Sequence, residues 1–193
     1  MRKFLIPIII LAVLILYFGI TYNSFVKKEE KVKQHWSDLQ STYQRRLDLI
    51  PNLVSVVKGV SEFERSVLQK VAEARSSAAS ATGQQEVTAE NYNRQKQLQD
   101  SLAVNVNRLV LLIEAYPELQ SIKSYLNLQA QLAGTERRIV VAAKDFNGSV
   151  YNYNKAVRGF PTNIVAGITG FDQKEGFESV LGAEKPIEVK FNK

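Results

Sequence analysis

The sequence predicts an all-α protein: an antiparallel helical bundle, made of three long helices and a short fourth helix, behind a single N-terminal transmembrane helix. Three observations support this fold class. An uncharged apolar run opens the chain of 193 residues. Beyond it, apolar residues recur at spacings of three and four, the period of a helix with one buried face. Glycine or proline at positions 83, 117 and 161 divides that pattern into separate helices.

The first element is the apolar run from Phe4 to Ile20, which has seventeen residues and no charge. This is the short end of what crosses a bilayer as a helix, and the weakly polar and apolar residues up to Val26 extend it. A secretory signal has a shorter apolar core and a small-x-small cleavage site, which the residues after Tyr17 do not provide. We therefore expect an uncleaved anchor over residues 1–26 in preference to a cleaved signal.

Basic residues flank the run on both sides. Arg2 and Lys3 precede it, and such a short basic tip usually stays in the cytoplasm, which predicts a bundle outside the membrane. Four lysines on the other side favour the opposite orientation and are also candidate contacts for anionic lipid headgroups. They are Lys27, Lys28, Lys31 and Lys33. Ordinary charged flanking of an anchor is the favoured explanation of these lysines.

The second element is one long amphipathic helix from Lys27 to Ser80, about 80 Å at the usual helical rise. Pro51 lies within it, lacks an N–H donor and pushes against the carbonyl of Leu47, so a kink is expected. A fixed bend that fits the helix to its neighbours is the simpler interpretation of this kink. A moving hinge is the alternative.

The remaining elements follow from turn and stop signals. Ser76 to Gln85 lacks large apolar residues and contains Gly83, which predicts a turn. One apolar stripe then runs from position 92 to Pro117, and another from position 122 to Pro161. The glycine-rich segment beyond predicts a short helix and an irregular tail, with Ile187, Val189 and Phe191 as an extended strand. The resulting domains are an anchor at 1–26, a bundle at 27–171 and a tail at 172–193.

A difference in helix length predicts a partner surface. The second helix would return along the first only as far as Pro51, which leaves residues 32–50 without a neighbour. Trp36, Leu39 and Tyr43 lie on this stripe. Either the tail or another copy of the chain covers them, and left bare they would mark a binding surface. We therefore expect a homo-oligomer or a complex with other membrane proteins.

Polar residues interrupt the apolar stripes and predict a structural polar core. Arg46 and Glu136 stand where apolar residues are due, and buried charges need partners. A salt bridge from Arg46 to Glu136 or Glu114 would fix the register of the helices. The other polar residues assigned to this core are Asp48, Asn52 and Asn147. A pocket for an ion or a small ligand is the alternative.

Several classes of function lack the residues that they need. The net charge of +6 is mild and no basic strand carries interleaved aromatics, so no nucleic-acid platform is expected. The chain has no cysteine, hence no thiolate chemistry. Its only histidine, His35, has Val32 three positions before it, which excludes the Glu-x-x-His pairs of a di-iron bundle. We expect no catalytic activity, no cofactor or metal, and no small-molecule substrate.

Several sequence blocks, in order along nearly the whole chain, resemble the LemA family. The blocks are Arg45 to Val54, Glu114 to Leu119, Leu128 to Glu136, and Asn147 with Val150, Asn154, Phe160 and Pro161. The resemblance implies a bacterial membrane protein with one spanning helix and a helical bundle, without an established enzymatic activity. The expected location is the bacterial inner membrane, crossed once.

Two functions remain open. The first is a membrane-anchored scaffold or adaptor that self-associates or docks envelope proteins through the stripe at residues 32–50. The second is a lipid-headgroup-binding protein that organises the membrane, or a sensor in which the long first helix transmits a change past Pro51.

Overall fold

The computed structural model describes residues 2–57, 65–83, 86–113, 116 and 123–174, with side chains from Ile6 onward. These ranges contain five α-helices and no strand: α1 (Arg2–Val57), α2 (Arg65–Ala81), α3 (Ala89–Ile113), α4 (Lys123–Arg158) and α5 (Thr162–Thr169). The predicted all-α bundle is confirmed. The strand expected at Ile187 to Phe191 lies outside the described residues.

Helix α1 joins the apolar run to the bundle without a break. It passes through both Pro7 and Pro51 and is 56 residues long. The large apolar side chains from Ile6 to Leu16 are exposed, whereas Thr21 and Phe25 are buried against other helices. By length and composition, α1 is the one candidate for a membrane span within the described ranges. The same helix thus carries the apolar run and forms the first helix of the bundle.

Helix α2 runs back along α1, so the prediction of one helix from Lys27 to Ser80 is wrong. Arg75 Nε donates to the carbonyl oxygen of Leu47 at 2.9 Å, and the Gly83 amide donates to Gln40 Oε1 at 3.1 Å. In a straight helix, Leu47 and Arg75 would be about 42 Å apart. The chain therefore reverses between Val57 and Arg65. Apolar spacing does not reveal such a reversal, because both helices of a hairpin bury one face.

Helices α3 and α4 complete an up-down-up-down bundle. The predicted turn before α3 is present, and Gly83 has a φ of +90°, a conformation that favours glycine. Helix α4 lies antiparallel to α1, since Arg46 meets Glu136 and the ring of Trp36 lies 5.3 Å from that of Phe146. Helices α1 and α4 pack along most of their lengths, and α2 with α3 forms a second close pair.

The stripe that was expected to stay uncovered is buried. Trp36, Leu39 and Tyr43 all belong to the core cluster that α1 forms with α4 and with Tyr92 of α3. The reversal after Val57 shortens the first helix, and α4 is long enough to return along α1 as far as Phe25. These three residues are therefore not a partner surface, and neither the tail nor a second copy is needed to cover them.

Helix α5 lies at the base of the bundle, beside the end of the apolar run. Val165 and Ala166 are buried in the cluster that contains Phe25. After α5, Gly170 has a φ of 75° and the chain returns to α1, where the ring of Phe171 lies 5.3 Å from that of Phe25. The short helix predicted after Pro161 is thus confirmed.

Candidate functional site

A buried arginine ties three helices together in the middle of the bundle. Arg46 of α1 is 5% exposed. Its Nη1 donates to the backbone oxygen and to Oε1 of Gln99 on α3, both at 3.2 Å, and its Nη2 pairs with Glu136 Oε2 on α4. The pairing of Arg46 with Glu136, one of the two partners considered from the sequence, is thus present. Glu114 lies outside the described residues.

The Arg46 cluster separates two apolar layers. One core cluster contains Tyr43 and Phe146, and the other begins with Leu47 and contains Leu102. Burying the guanidinium without its partners would cost several kcal/mol, because a charge loses its hydration in such a place. Sliding α3 or α4 by one turn would break these contacts, so the cluster selects one helix register.

The remaining residues assigned to the polar core are not part of this cluster. Asp48 is exposed and accepts from Gln44 at 2.8 Å, and Asn52 is exposed as well. Asn147 is half-buried and donates to the Tyr92 hydroxyl at 3.3 Å. Its Oδ1 atom is buried without a hydrogen-bond partner among the described residues. Asp48 and Asn52 thus lie on the outer face of α1, beside the stripe and not on it.

A second polar layer, which the sequence did not predict, lies one to two turns from the Arg46 cluster. Gln40 and Gln95 exchange hydrogen bonds through their amides, at 2.5 and 2.7 Å, and Gln95 Nε2 lies 3.4 Å from Thr82 Oγ1. Gln95 is 1% exposed and Gln99 equally so. The sequence feature that could have predicted this layer is Gln95, a polar residue in the apolar stripe of α3. Gln99 follows it by one helical turn.

Pro51 leaves one backbone carbonyl of α1 without a hydrogen-bond donor in its own helix, and a side chain of α2 supplies the donor. Proline has no N–H, so the Leu47 oxygen has no donor four residues later. Arg75 Nε supplies the missing hydrogen bond at 2.9 Å. The Pro51 oxygen accepts a further bond from Ser55 Oγ at 2.8 Å. A proline inside α1 is therefore matched by a specific donor on the neighbouring helix, which favours a fixed structural role over a hinge.

A groove separates α3 from α4 because these two helices make few direct contacts. Its volume is about 320 Å³. The side chains that line it are Arg46, Ala103, Val106, Asn107, Val110, Gln129, Leu132, Ala133 and Glu136. The Glu136 side chain is 54% exposed, so the end of the Arg46 cluster is open to solvent here.

An exposed apolar seam extends the α4 wall of the groove. Leu126, Ala133 and Val140 recur every seven residues, so they lie along one face of the helix. All three are exposed within the described part of the chain, and Val140 is 62% exposed. The seam is about 21 Å long. Such spacing is typical of a surface that packs against another helix.

The lysines near the end of the apolar run differ in their surroundings. Lys27, Lys31 and Lys33 are exposed and Lys28 is half-buried. Lys33 Nζ donates to Glu30 Oε1 at 2.8 Å, and this hydrogen bond raises the pKa of Lys33. Lys27 and Lys31 are thus exposed just beyond the apolar run. Within the described ranges, no group of three His, Asp or Glu side chains is placed to hold a metal ion.

Two tyrosines at the α1–α4 contact are shielded from water. Burial raises the pKa of Tyr43 far above its ordinary value, and burial raises the pKa of Tyr153 to about 12. The Tyr153 hydroxyl donates to the Asp172 carbonyl at 3.0 Å, and Lys174 Nζ lies 5.3 Å from the centre of its ring. Tyr153 thereby attaches the segment that follows α5 to the bundle.

Comparison with known sequences places the chain in a family. The chain is 28% identical over 184 residues to magnetosome protein MamQ of Magnetospirillum gryphiswaldense, across 86% of this chain and 68% of that protein. MamQ 2 of Paramagnetospirillum magneticum is 27% identical over 184 residues, with the same coverage. Protein LemA of Metamycoplasma hominis is 24% identical over 167 residues, across 86% of this chain and 73% of that protein. The sequence model of the LemA family matches residues 35–191, well over half of the chain, and the chain therefore belongs to the LemA family.

Proposed function

We propose that this protein is a membrane-anchored, non-catalytic scaffold, which docks a helix of another protein or of a second copy along α4. The anchor is the apolar part of α1, crossing a bacterial inner membrane once. The bundle would extend from that membrane as a continuation of the same helix. In this proposal, the exposed seam of α4 and the groove beside it form the docking surface, in place of the stripe at Trp36, which is buried.

The observation that carries the proposal is the exposed seam of Leu126, Ala133 and Val140. A heptad-spaced apolar face on a surface helix has nothing to pack against within the described chain. The neighbouring groove is lined mainly by apolar side chains, and the Glu136 carboxylate stands between Ala133 and Val140. A docking helix would therefore meet three apolar side chains, with one charge between the second and the third, an arrangement that sets register and selects partners.

Adjacent valines provide a matched test of this surface. Val140 is 62% exposed and lies on the seam, whereas Val141 is 57% exposed and lies about 100° further round the helix. Val140→Asp should abolish co-purification of the partner, or self-association, from detergent-solubilised membranes. Val141→Asp should leave it intact. Equal effects of the two variants, or none from either, would rule out the seam as the docking surface.

A second candidate function is binding of anionic lipid headgroups, favoured by the exposure of Lys27 and Lys31 just beyond the apolar run. Reversing both charges to glutamate should then weaken binding of the full chain to vesicles rich in phosphatidylglycerol and change its localisation. Unchanged binding and localisation would remove this function and leave the scaffold proposal unaffected.

A further inference from the structure

Helix α5 presents an uncharged apolar face on the outside of the bundle. Its eight residues include no ionisable side chain. Val165 and Ala166 face inward and are buried, while Ile164 and Ile168 are 55% and 69% exposed. Phe160, in the turn before α5, is 84% exposed. Because Ile164 and Ile168 are four residues apart, they lie on the same side of the helix.

The contacts between α5 and α1 show at which level of the predicted membrane span the exposed face of α5 lies. Val165 and Ala166 pack in the cluster that contains Phe25 and, at its edge, Phe18. The ring of Phe171, just after α5, lies 5.6 Å from that of Tyr22. A hydrocarbon core of about 30 Å takes up about twenty helical residues, so a span beginning at Phe4 ends near Asn23. Helix α5 is therefore at the level where the hydrocarbon gives way to headgroups.

Two basic side chains near α5 also lie at the level of the lipid headgroups. The antiparallel pairing that joins Arg46 to Glu136 puts Arg158, at the end of α4, beside the region of Ser24. Lys155 lies one turn further from the apolar run, and both cations are exposed. Basic side chains at the edge of a hydrophobic surface are well placed to meet lipid phosphates.

We propose that the Ile164 and Ile168 face of α5, with Phe160, inserts into the interfacial layer of the bilayer beside the α1 span. The occupant of this face is lipid, because α5 packs against α1 at the level of Phe18 to Phe25, next to the part of α1 whose apolar side chains are exposed. The chain would then contact the membrane at two adjoining places, which restricts tilting of the bundle about α1. This inference rests on the anchor in the proposed function and is independent of docking along α4.

Site-directed spin labelling of the full chain tests the proposal, and the absence of native cysteine makes single labels specific. Ile164→Cys and Ile168→Cys would carry nitroxides in vesicles of phosphatidylethanolamine and phosphatidylglycerol. Val13→Cys serves as the span reference, and Leu111→Cys, at the far end of the bundle, as the aqueous reference. We expect the ratio of collisions with oxygen to collisions with a water-soluble nickel chelate to be several-fold higher at positions 164 and 168 than at 111.

The other possible results of the labelling experiment each contradict either this inference or the anchor. Nickel accessibility at 164 and 168 equal to that at 111 would place the face in water and overturn the proposal. Low accessibility to both reagents would mean that protein covers the face, which also overturns it. A lipid-like ratio at 13 with a water-like ratio at 164 defeats only this inference. A water-like ratio at 13 defeats the anchor itself.

Discussion

Arg75 of α2 donates to the carbonyl oxygen of Leu47 on α1, the oxygen that Pro51 leaves without a donor inside its own helix. The contact couples a helix defect to the packing of the neighbouring helix. Proline within a helix is costly because of the lost hydrogen bond and the clash with the preceding turn. Here the lost hydrogen bond is replaced by one from the charged side chain of Arg75. The same bond holds α2 at one position along α1.

Replacing Arg75 should therefore matter more when residue 51 is proline. Arg75→Met should lower the free energy of unfolding by about 1–2 kcal/mol, since a hydrogen bond from a charged group is lost. In a Pro51→Ala background, the new N–H can reach the Leu47 oxygen, and the effect of Arg75→Met should shrink by about 1 kcal/mol. Urea unfolding in detergent, followed by circular dichroism, measures all four variants. Lys70→Met on the exposed face of α2 is the control, and equal effects of Arg75→Met in both backgrounds would refute the coupling.

The Arg46 cluster should respond unequally to loss of its members. Arg46→Ala removes a buried cation, three hydrogen bonds and apolar volume, and should cost about 2–4 kcal/mol of unfolding free energy. Glu136→Gln should cost no more than about 1 kcal/mol, because its carboxylate is half exposed and water replaces part of the interaction. Arg46→Met retains the packed stem and should fall between the two. Denaturant unfolding of the full chain tests this order, and equal losses for Arg46→Ala and Glu136→Gln would contradict it.

Tyr153 should make the folded state sensitive to alkali. Its pKa is raised to about 12 by burial, against about 10 in an unfolded chain. The folded state therefore holds the phenolic proton more tightly, so stability is unaffected below pH of about 10 and falls as the pH rises towards about 12. The difference in ultraviolet titration between the chain and its Tyr153→Phe variant isolates this group. A transition near pH 10 in that difference would show that Tyr153 is not shielded.

Orientation in the membrane is open to direct labelling. Arg2 and Lys3 lead us to expect the N-terminus in the cytoplasm and the bundle outside. A single cysteine at Gly83 would lie beside Gln40, about 25 Å beyond the end of the span near Asn23, in a turn where the added Cβ meets no neighbour within 4 Å. Because the φ of Gly83 favours glycine, cysteine at the neighbouring Thr82 is a second variant. A membrane-impermeant maleimide should label intact spheroplasts at these positions. Labelling only after lysis would reverse the assigned orientation.

Particular residues show what the sequence could and could not predict. Gly83 and Pro161 end helices through backbone conformation, which is a local property, and the limits of α3, α4 and α5 near them were predicted accordingly. The reversal after Val57 was missed because the apolar period continues from α1 into α2. That single error made Trp36 look uncovered, since it removed one helix from the bundle.

Some of the polar contacts could also be predicted from the sequence, and others could not. Arg46 and Glu136 were predicted because charges in an apolar stripe stand out, and their pairing follows from the need to neutralise a buried charge. Gln99 was missed although it lies on the buried stripe of α3, because a glutamine does not mark a buried position until its partner, Arg46 of α1, is seen to pack against it. The seam at Val140 was missed as well, because which apolar side chains of a helix stay exposed is decided only when the helices pack together.

Photo-cross-linking in intact membranes tests the docking proposal most directly. Benzoylphenylalanine at Val140 should form a cross-linked product with one partner chain or with a second copy, and the same group at Val141 should form little or none. Both positions are exposed to similar extents, so a difference reports on the surface and not on accessibility. Strong and equal cross-linking at both positions, or none at Val140, would contradict the account of α4 as the docking helix.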